Sequence, residues 1–136
     1  MNPITLYLIK RAEIEVTSRM AVTLEDFDIT PIQFTILYFV DYDNGDLSSA
    51  QLSRRFSMTP QSMNELVSVL ERKKLLKKEV DPSHRRILHL RLTAKGKKLL
   101  VDCNTALDIL EETLLKGLSE KETQTLRNLI GKILIT

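Results

Sequence analysis

The sequence predicts a mainly helical protein in which two short helices are followed by a basic β hairpin. The chain of 136 residues contains only four glycines and four prolines, and most of its apolar residues recur at helical spacing. Residues 86–92 are different, because apolar and polar side chains alternate there as in a half-buried strand. The net charge is only +2, yet residues 71–98 contain eleven basic and three acidic residues. This uneven charge indicates a polyanionic partner, most simply DNA.

Composition excludes several other classes of protein. Hydrophobic residues make up 43% of the chain, so we expect a folded chain with a core rather than a disordered one. No apolar run approaches the roughly 18 residues of a membrane span. A single cysteine, Cys103, cannot form an internal disulfide, which favours the cytoplasm. Because there is no glycine-rich phosphate loop, metal-ligand cluster or nucleophile–base pair, we expect neither enzymatic activity nor a cofactor.

Capping residues mark where the helices begin. The first predicted helix covers about residues 3–24, and the next five each follow a residue whose side-chain oxygen can accept from free first-turn amides. Pro31 and Pro60 strengthen two of these starts, since proline has no amide to leave unpaired. Glu122 completes a capping box in the last helix. The predicted caps are Asp28 or Thr30, Ser48 or Ser49, Thr59, Thr93 and Ser119, and the first four of these helices end near residues 40, 56, 73 and 116.

The hairpin is predicted from residues 75–80 and 86–92, which flank the sequence DPSH. Proline at the second position of this tetrapeptide is typical of a tight turn. Leu88, Leu90 and Leu92 share one face of the second strand, and polar side chains occupy most of the other face.

The fourth helix and the hairpin together suggest how DNA is contacted. A helix fits the major groove, and a flanking hairpin can reach the adjacent minor groove or the backbone. Helical spacing predicts that the fourth helix turns Met63, Leu66, Val67 and Leu70 inward. The residues left outward are Pro60, Gln61, Ser62, Asn64, Glu65 and Ser68. Of these we expect the short and amide side chains of Gln61, Ser62, Asn64 and Ser68 to read base edges. We expect phosphate contacts from Arg54, Arg55, Arg72, Lys77 and Lys78, and minor-groove contacts from Arg85 and Arg86 at the hairpin tip. The alternative is an ordinary polar helix face with solvated charges.

Three short segments in this region, LERKKLL, DPSHRR and LTAKG, resemble the MarR family of winged helix-turn-helix regulators. The corresponding family pattern is L-E-x-x-G-L, D-x-x-D-x-R and L-T-x-x-G. The resemblance implies a mainly α, winged helix-turn-helix fold, with a three-helix core, a β-hairpin wing and dimerisation helices at both ends of the chain. The resemblance also implies that residues 28–97 form the DNA-binding domain and that residues 1–27 and 98–136 form the dimerisation region. It also implies that Thr59 to Ser68 form the recognition helix and that Arg86, with Arg85 beside it, is the wing-tip arginine.

The chain departs from the family pattern at four positions. Lys74 replaces a glycine at a position that favours the left-handed conformation, at a cost of about 1 kcal/mol. His84 replaces an acid that holds the wing arginine, so either Asp81 takes over this role or the wing is looser. Glu65 and Val69 occupy positions that are often basic, which predicts a different DNA sequence preference.

The first and last helices are predicted to form a dimer interface. Their apolar stripes are too long to be buried within one subunit, so a second copy of the chain is the better partner. The predicted interface also includes the long fifth helix, and its residues are Leu6, Ile9, Val16, Leu107, Leu114, Leu126, Ile130 and Ile133.

We therefore expect a homodimeric, sequence-specific regulator of transcription, a repressor that binds a palindromic operator. The resemblance further implies modulation by a small-molecule effector. The alternative function is a winged-helix module that binds an acidic protein and no specific DNA. His84 and His89 form a poor metal-ligand set, although His84 could make a pH-dependent contact. Cys103 lies among leucines and is expected to be an inert packing residue rather than a redox sensor.

Overall fold

The computed structural model describes residues 4–43 and 45–134, in which helices predominate and one antiparallel hairpin is present. The predicted fold class is confirmed. The predicted start of the first helix at residue 3 lies outside the described residues. The elements are α1 (Ile4–Leu24), α2 (Pro31–Tyr42), α3 (Ser49–Arg55), α4 (Pro60–Arg72), β1 (Leu76–Asp81), β2 (His84–Leu92), α5 (Ala94–Leu114) and α6 (Glu120–Leu134).

Side-chain caps begin α2 to α6 as the sequence predicts. For the two helices with alternative caps, the structure selects Thr30 and Ser48, and each forms a capping box with a glutamine three residues later. Asp28 instead ends a short 3₁₀ helix, Glu25–Phe27, in a left-handed conformation with φ 53°. This 3₁₀ helix was not predicted from the sequence. It turns the chain between α1 and α2.

The core lies among α2, α3, α4, the base of the hairpin and the first half of α5. Met63, Val67 and Leu70 recur along α4 and are fully buried, whereas Leu66 is only partly buried. Each buried aliphatic side chain contributes about 1.5–3 kcal/mol. Because all three lie on one face, they fix the rotation of α4 and leave its opposite face exposed.

Both α3 and α4 end in a left-handed residue that is not glycine. Ser57 has φ 53° and Lys74 has φ 61°. After Ser57, the amide of Met58 donates to the carbonyl oxygen of Ser53 at 2.8 Å, as in a Schellman turn. This hydrogen bond and the left-handed conformation of Ser57 produce the tight turn between α3 and α4. The left-handed conformation expected at Lys74 is confirmed.

The hairpin has a regular base and an irregular tip. Its register runs from Leu76 opposite Leu92 to Val80 opposite Leu88, and Asp81 then pairs with His84. This shift leaves residues 85–87 of β2 without partners on β1. The backbone amide of Leu90 also donates to the carbonyl oxygen of Leu47 at 2.8 Å, so the segment before α3 pairs with the base of the hairpin.

The two strand boundaries differ slightly from the prediction. Leu75 belongs to the turn that ends α4, because its amide donates to the carbonyl oxygen of Leu70 at 3.0 Å. β1 therefore begins at Leu76. The β2 strand begins at His84, two residues earlier than predicted, because the turn contains only Pro82 and Ser83.

Candidate nucleic-acid interface

The exposed face of α4 is polar along its length. Gln61, Ser62, Asn64 and Glu65 are exposed, and Ser68 is partly buried. A shallow groove follows this face and is bordered by Gln61, Asn64, Glu65, Ser68, Val69 and Arg72. Three of the four residues predicted to read base edges, Gln61, Asn64 and Ser68, thus border one groove, and Ser62 is exposed in the first turn of the same helix.

Thr59 is the N-cap of α4. Its Oγ1 atom accepts from the amide of Ser62 at 3.1 Å, and its hydroxyl donates to Ser62 Oγ at 2.9 Å. This pair fixes the first turn of α4. The remaining free amides and the helix dipole favour a negative group, such as a DNA phosphate, at this end.

A hydrogen bond between α3 and α4 orients one of the predicted base-reading side chains. Ser49 Oγ donates to Asn64 Oδ1 at 2.6 Å. The amide nitrogen of Asn64 remains as a donor on the exposed face. No local pattern predicts this contact, because the two residues are 15 positions apart.

The two adjacent arginines at the end of α3 have different surroundings. Arg55 Nη1 lies 3.2 Å from Asp43 Oδ2, and its guanidinium lies 5.0 Å from the ring centroid of Phe39. Arg54 is exposed, and it forms no ion pair with any residue that the structure describes. Arg55 therefore supports the fold, while Arg54 is available to a ligand.

The lysines of β1 both contact acids. Lys77 Nζ lies 3.4 Å from Glu79 Oε1, and Lys78 Nζ lies 3.4 Å from Glu71 Oε1. Such surface pairs contribute about 0–1 kcal/mol each, so a phosphate could compete for either lysine. Arg72, at the end of α4, is exposed.

Arg85 and Arg86 project from the irregular tip of the hairpin and are exposed. Among the described residues neither forms an ion pair. Asp81 forms no ion pair with Arg86, so it does not replace the acid that holds the wing arginine in the family pattern. Its Oδ1 atom accepts from the amide and hydroxyl of Ser83 at 2.9 and 2.8 Å, and its Oδ2 atom lies 3.6 Å from His89 Nε2.

The hydrogen bonds from Ser83, and to a smaller degree the nearby histidines, hold the pKa of Asp81 below its ordinary value. The carboxylate thereby stabilises the hairpin turn. The described residues contain no group of histidine, cysteine and acidic side chains that could hold a metal ion.

The residues predicted at a dimer interface lie on α1, α5 and α6. Six are exposed although they are large and apolar: Leu6, Ile9, Val16, Leu126, Ile130 and Ile133. Leu107 and Leu114 are partly buried and line an apolar groove among these three helices. Over the described ranges, no helix combines the length and apolar character needed to cross a membrane.

Cys103 lies in the core, with 1% of its surface exposed. Burial raises the pKa of its thiol to about 11, and the charge of Asp102 acts in the same direction. The thiol is therefore protonated at neutral pH. Such a group is a weak nucleophile, as expected of a packing residue.

Comparisons with known proteins identify the family. The MarR family model matches residues 27–87. The HTH-type transcriptional repressor Rv2887 of Mycobacterium tuberculosis is 26% identical over 127 residues, which cover 93% of this chain and 91% of the repressor. Both the family and this relative are transcriptional regulators rather than enzymes, in agreement with the predicted lack of enzymatic activity.

Solved structures give the same result. A mutant MepR from a multidrug-resistant S. aureus clinical isolate is 30% identical, with TM-score 0.77 and coverage of 98% of this chain and 97% of that chain. The S. aureus MepR–DNA complex is 29% identical, with TM-score 0.78 and coverage of 94% and 92%. An E. coli mutant MarR in complex with operator DNA shares the fold, with TM-score 0.82, 22% identity and coverage of 94% and 91%. With its helix pair, hairpin and flanking helices arranged as in these relatives, the chain belongs to the MarR family.

Proposed function

We propose that this protein is a homodimeric, sequence-specific regulator of transcription, and specifically a repressor modulated by a small molecule. One observation carries the proposal: most of the polar face of α4 is exposed, and so are Arg85 and Arg86 of the hairpin. The MepR structure solved with DNA and the mycobacterial relative named as a repressor support it. A DNA-binding regulator acts where the DNA is, so we also propose a cytoplasmic location.

In this proposal α4 enters the major groove. Gln61, Ser62, Asn64 and Ser68 contact base edges, and Thr59 orients the first turn beside a phosphate. The hairpin is the wing, and its arginines enter the adjacent minor groove, where the narrow groove concentrates negative potential. Phosphate contacts come from Arg54 and Arg72, and from Lys77 and Lys78 when they leave their acidic partners. Arg55 contributes only long-range charge, because it is engaged by Asp43.

We assign residues 28–97 to DNA binding and residues 1–27 and 98–136 to dimerisation. The support is the row of exposed apolar side chains on α1 and α6, which water solvates poorly. A second copy of the chain would cover them and would complete the apolar groove among α1, α5 and α6. Two-fold symmetry then presents two recognition helices to one duplex, so the operator is palindromic, with half-sites about one helical turn apart.

The effector is proposed to bind between the two regions. A cleft there is lined by Phe27, Asp28, Lys73, Leu75, Lys95, Lys98, Leu99 and Asp102. It lies between the turn that follows α4 and the first turns of α5, so an occupant contacts a dimerisation helix and the segment that joins the recognition helix to the wing. A ligand that binds one arrangement of these helices better than the other changes DNA affinity by at most the ratio of its own two affinities.

The direct test is selection of bound fragments from random DNA by the purified protein, with sedimentation to determine the subunit number. We expect enrichment of one palindromic sequence bound by one dimer. Binding that is only weak, salt-sensitive and independent of sequence would instead favour the module that binds an acidic protein. A monomer at micromolar concentration would contradict the dimer.

A further inference from the structure

Glu65 differs from the other acidic residues near the proposed DNA surface. Residues 54–98 contain four acids, and this segment is described throughout. Glu71 and Glu79 form ion pairs with basic side chains, and Asp81 accepts hydrogen bonds from Ser83. Glu65 is exposed and has neither an ion pair nor a hydrogen bond within this segment.

No neighbour on α4 can neutralise Glu65. Side chains three and four positions apart meet on a helix surface. For Glu65 these are Gln61 and Ser62 on one side and Ser68 and Val69 on the other, and none carries a positive charge. Among the described residues, therefore, the Glu65 carboxylate has no ion-pair partner, and it borders the groove along α4.

A carboxylate on a DNA-reading surface weakens DNA binding unless a hydrogen-bond donor on the DNA contacts it. Phosphates repel it, and removal of its water without a replacement hydrogen bond is costly. The major-groove donors are the N4 amino group of cytosine and the N6 amino group of adenine. Adenine also presents the acceptor N7 beside its amino group, which repels a carboxylate, so cytosine is the better partner.

We propose that Glu65 is a specificity-determining residue whose carboxylate accepts a hydrogen bond from the N4 amino group of one cytosine in each operator half-site. The inference rests on the proposed function, because it requires α4 to lie in the major groove. Guanine and thymine present acceptors at the corresponding edge. A carboxylate there rejects these bases, while the exposed arginines supply the general attraction to DNA.

The test compares sequences selected from random DNA by the wild-type protein and by the Glu65→Gln and Glu65→Ala variants. The control is Asp26→Asn, which removes the same charge from an exposed residue of the 3₁₀ helix, outside α4. We expect one cytosine per half-site to be strongly preferred by the wild type and the control. Glu65→Ala should lose this preference by at least roughly tenfold, about 1.4 kcal/mol. Glu65→Gln should shift it toward adenine.

Selection of the same bases at every position by the wild type and both Glu65 variants would overturn the inference while leaving the proposed function intact. The inference would also be overturned if the Glu65 variants and the Asp26→Asn control all bound every DNA sequence more tightly by the same factor. Glu65 would then act only through net charge. Failure of the wild type to enrich any sequence would remove the proposed function, and this inference with it.

Discussion

The hydroxyl group of Thr93 donates a hydrogen bond to the main-chain carbonyl oxygen of Lys74 at 2.6 Å. The same side-chain oxygen accepts from the amide of Gly96 at 3.0 Å. Thr93 therefore caps α5 and also holds the turn that ends α4. Because the whole hairpin lies between Lys74 and Thr93, this contact joins its two ends and fixes the direction in which the wing leaves the core.

Replacement of Lys74 by glycine should stabilise the protein. Lys74 has φ 61°, a conformation that costs a residue with a Cβ atom about 1 kcal/mol and glycine very little. We expect Lys74→Gly to raise the free energy of unfolding by up to about 1 kcal/mol in urea denaturation. Lys97→Gly, in the first turns of α5, is the control and should lower it by about 1 kcal/mol. A loss of stability in Lys74→Gly would contradict the assignment of strain to this turn.

Addition of a methyl group at Gly96 should have the opposite effect. A Cβ atom at this position would lie 2.2 Å from the carbonyl oxygen of Leu75, which is main chain and cannot move without displacement of the hairpin base. Gly96→Ala is expected to cost about 1–3 kcal/mol of stability. Gly117→Ala is the control, because nothing lies within 4 Å of its added methyl. Similar thermal midpoints for the two variants would be inconsistent with the close packing.

Arg54 and Arg55 should separate DNA binding from stability. Arg54→Ala is expected to leave the unfolding free energy within about 0.5 kcal/mol of wild type, and to reduce the salt dependence of DNA binding by about one released ion. Arg55→Ala should instead cost about 1 kcal/mol of stability, because it removes the contacts with Asp43 and Phe39. If Arg54→Ala instead lowered stability and Arg55→Ala reduced the salt dependence of DNA binding, Arg55 would be the phosphate ligand.

The pKa of Asp81 gives a test of the wing turn. Hydrogen bonds from Ser83 lower it from the ordinary value of 3.8, so the folded state binds this proton less readily than the unfolded state. The resulting stabilisation is present above about pH 4 and is lost as the pH falls through the lower folded pKa. Carboxyl NMR should show Ser83→Ala moving the pKa of Asp81 upward. The control is Ser18→Ala, an exposed serine in α1, which should leave the pKa of Asp81 unchanged. An unchanged pKa of Asp81 in Ser83→Ala as well would show that the hydroxyl of Ser83 does not stabilise the turn.

The predictability of the fold depended on whether the signals were local. Thr30 with Pro31 and Thr59 with Pro60 were recognisable as helix starts, because a cap and its partner lie within one turn of each other. The burial of Met63 and Val67 followed from helical spacing in the same way. The 3₁₀ helix Glu25–Phe27 was not predicted, since its three residues contain no periodicity.

For the candidate site, the sequence predicted which side chains are exposed but not which contacts hold them in place. Exposure of Gln61 and Asn64 followed from the apolar face of α4, but the contact that orients Asn64 did not, because Ser49 is distant in the sequence. The pairing of Arg55 with Asp43 was missed for the same reason. Chain spacing identifies which side chains can face a partner, whereas tertiary contacts decide which remain free to bind it.

The central claim is that the wing arginines and the exposed face of α4 act on one DNA duplex. Its most direct test is the affinity of Arg86→Ala for the selected operator at fixed salt concentration. Lys116→Ala, in the turn after α5, is the control for loss of one positive charge. We predict binding at least roughly tenfold weaker than wild type for Arg86→Ala, about 1.4 kcal/mol, and little change for Lys116→Ala. Equal affinities of folded Arg86→Ala and wild-type protein would contradict the claim.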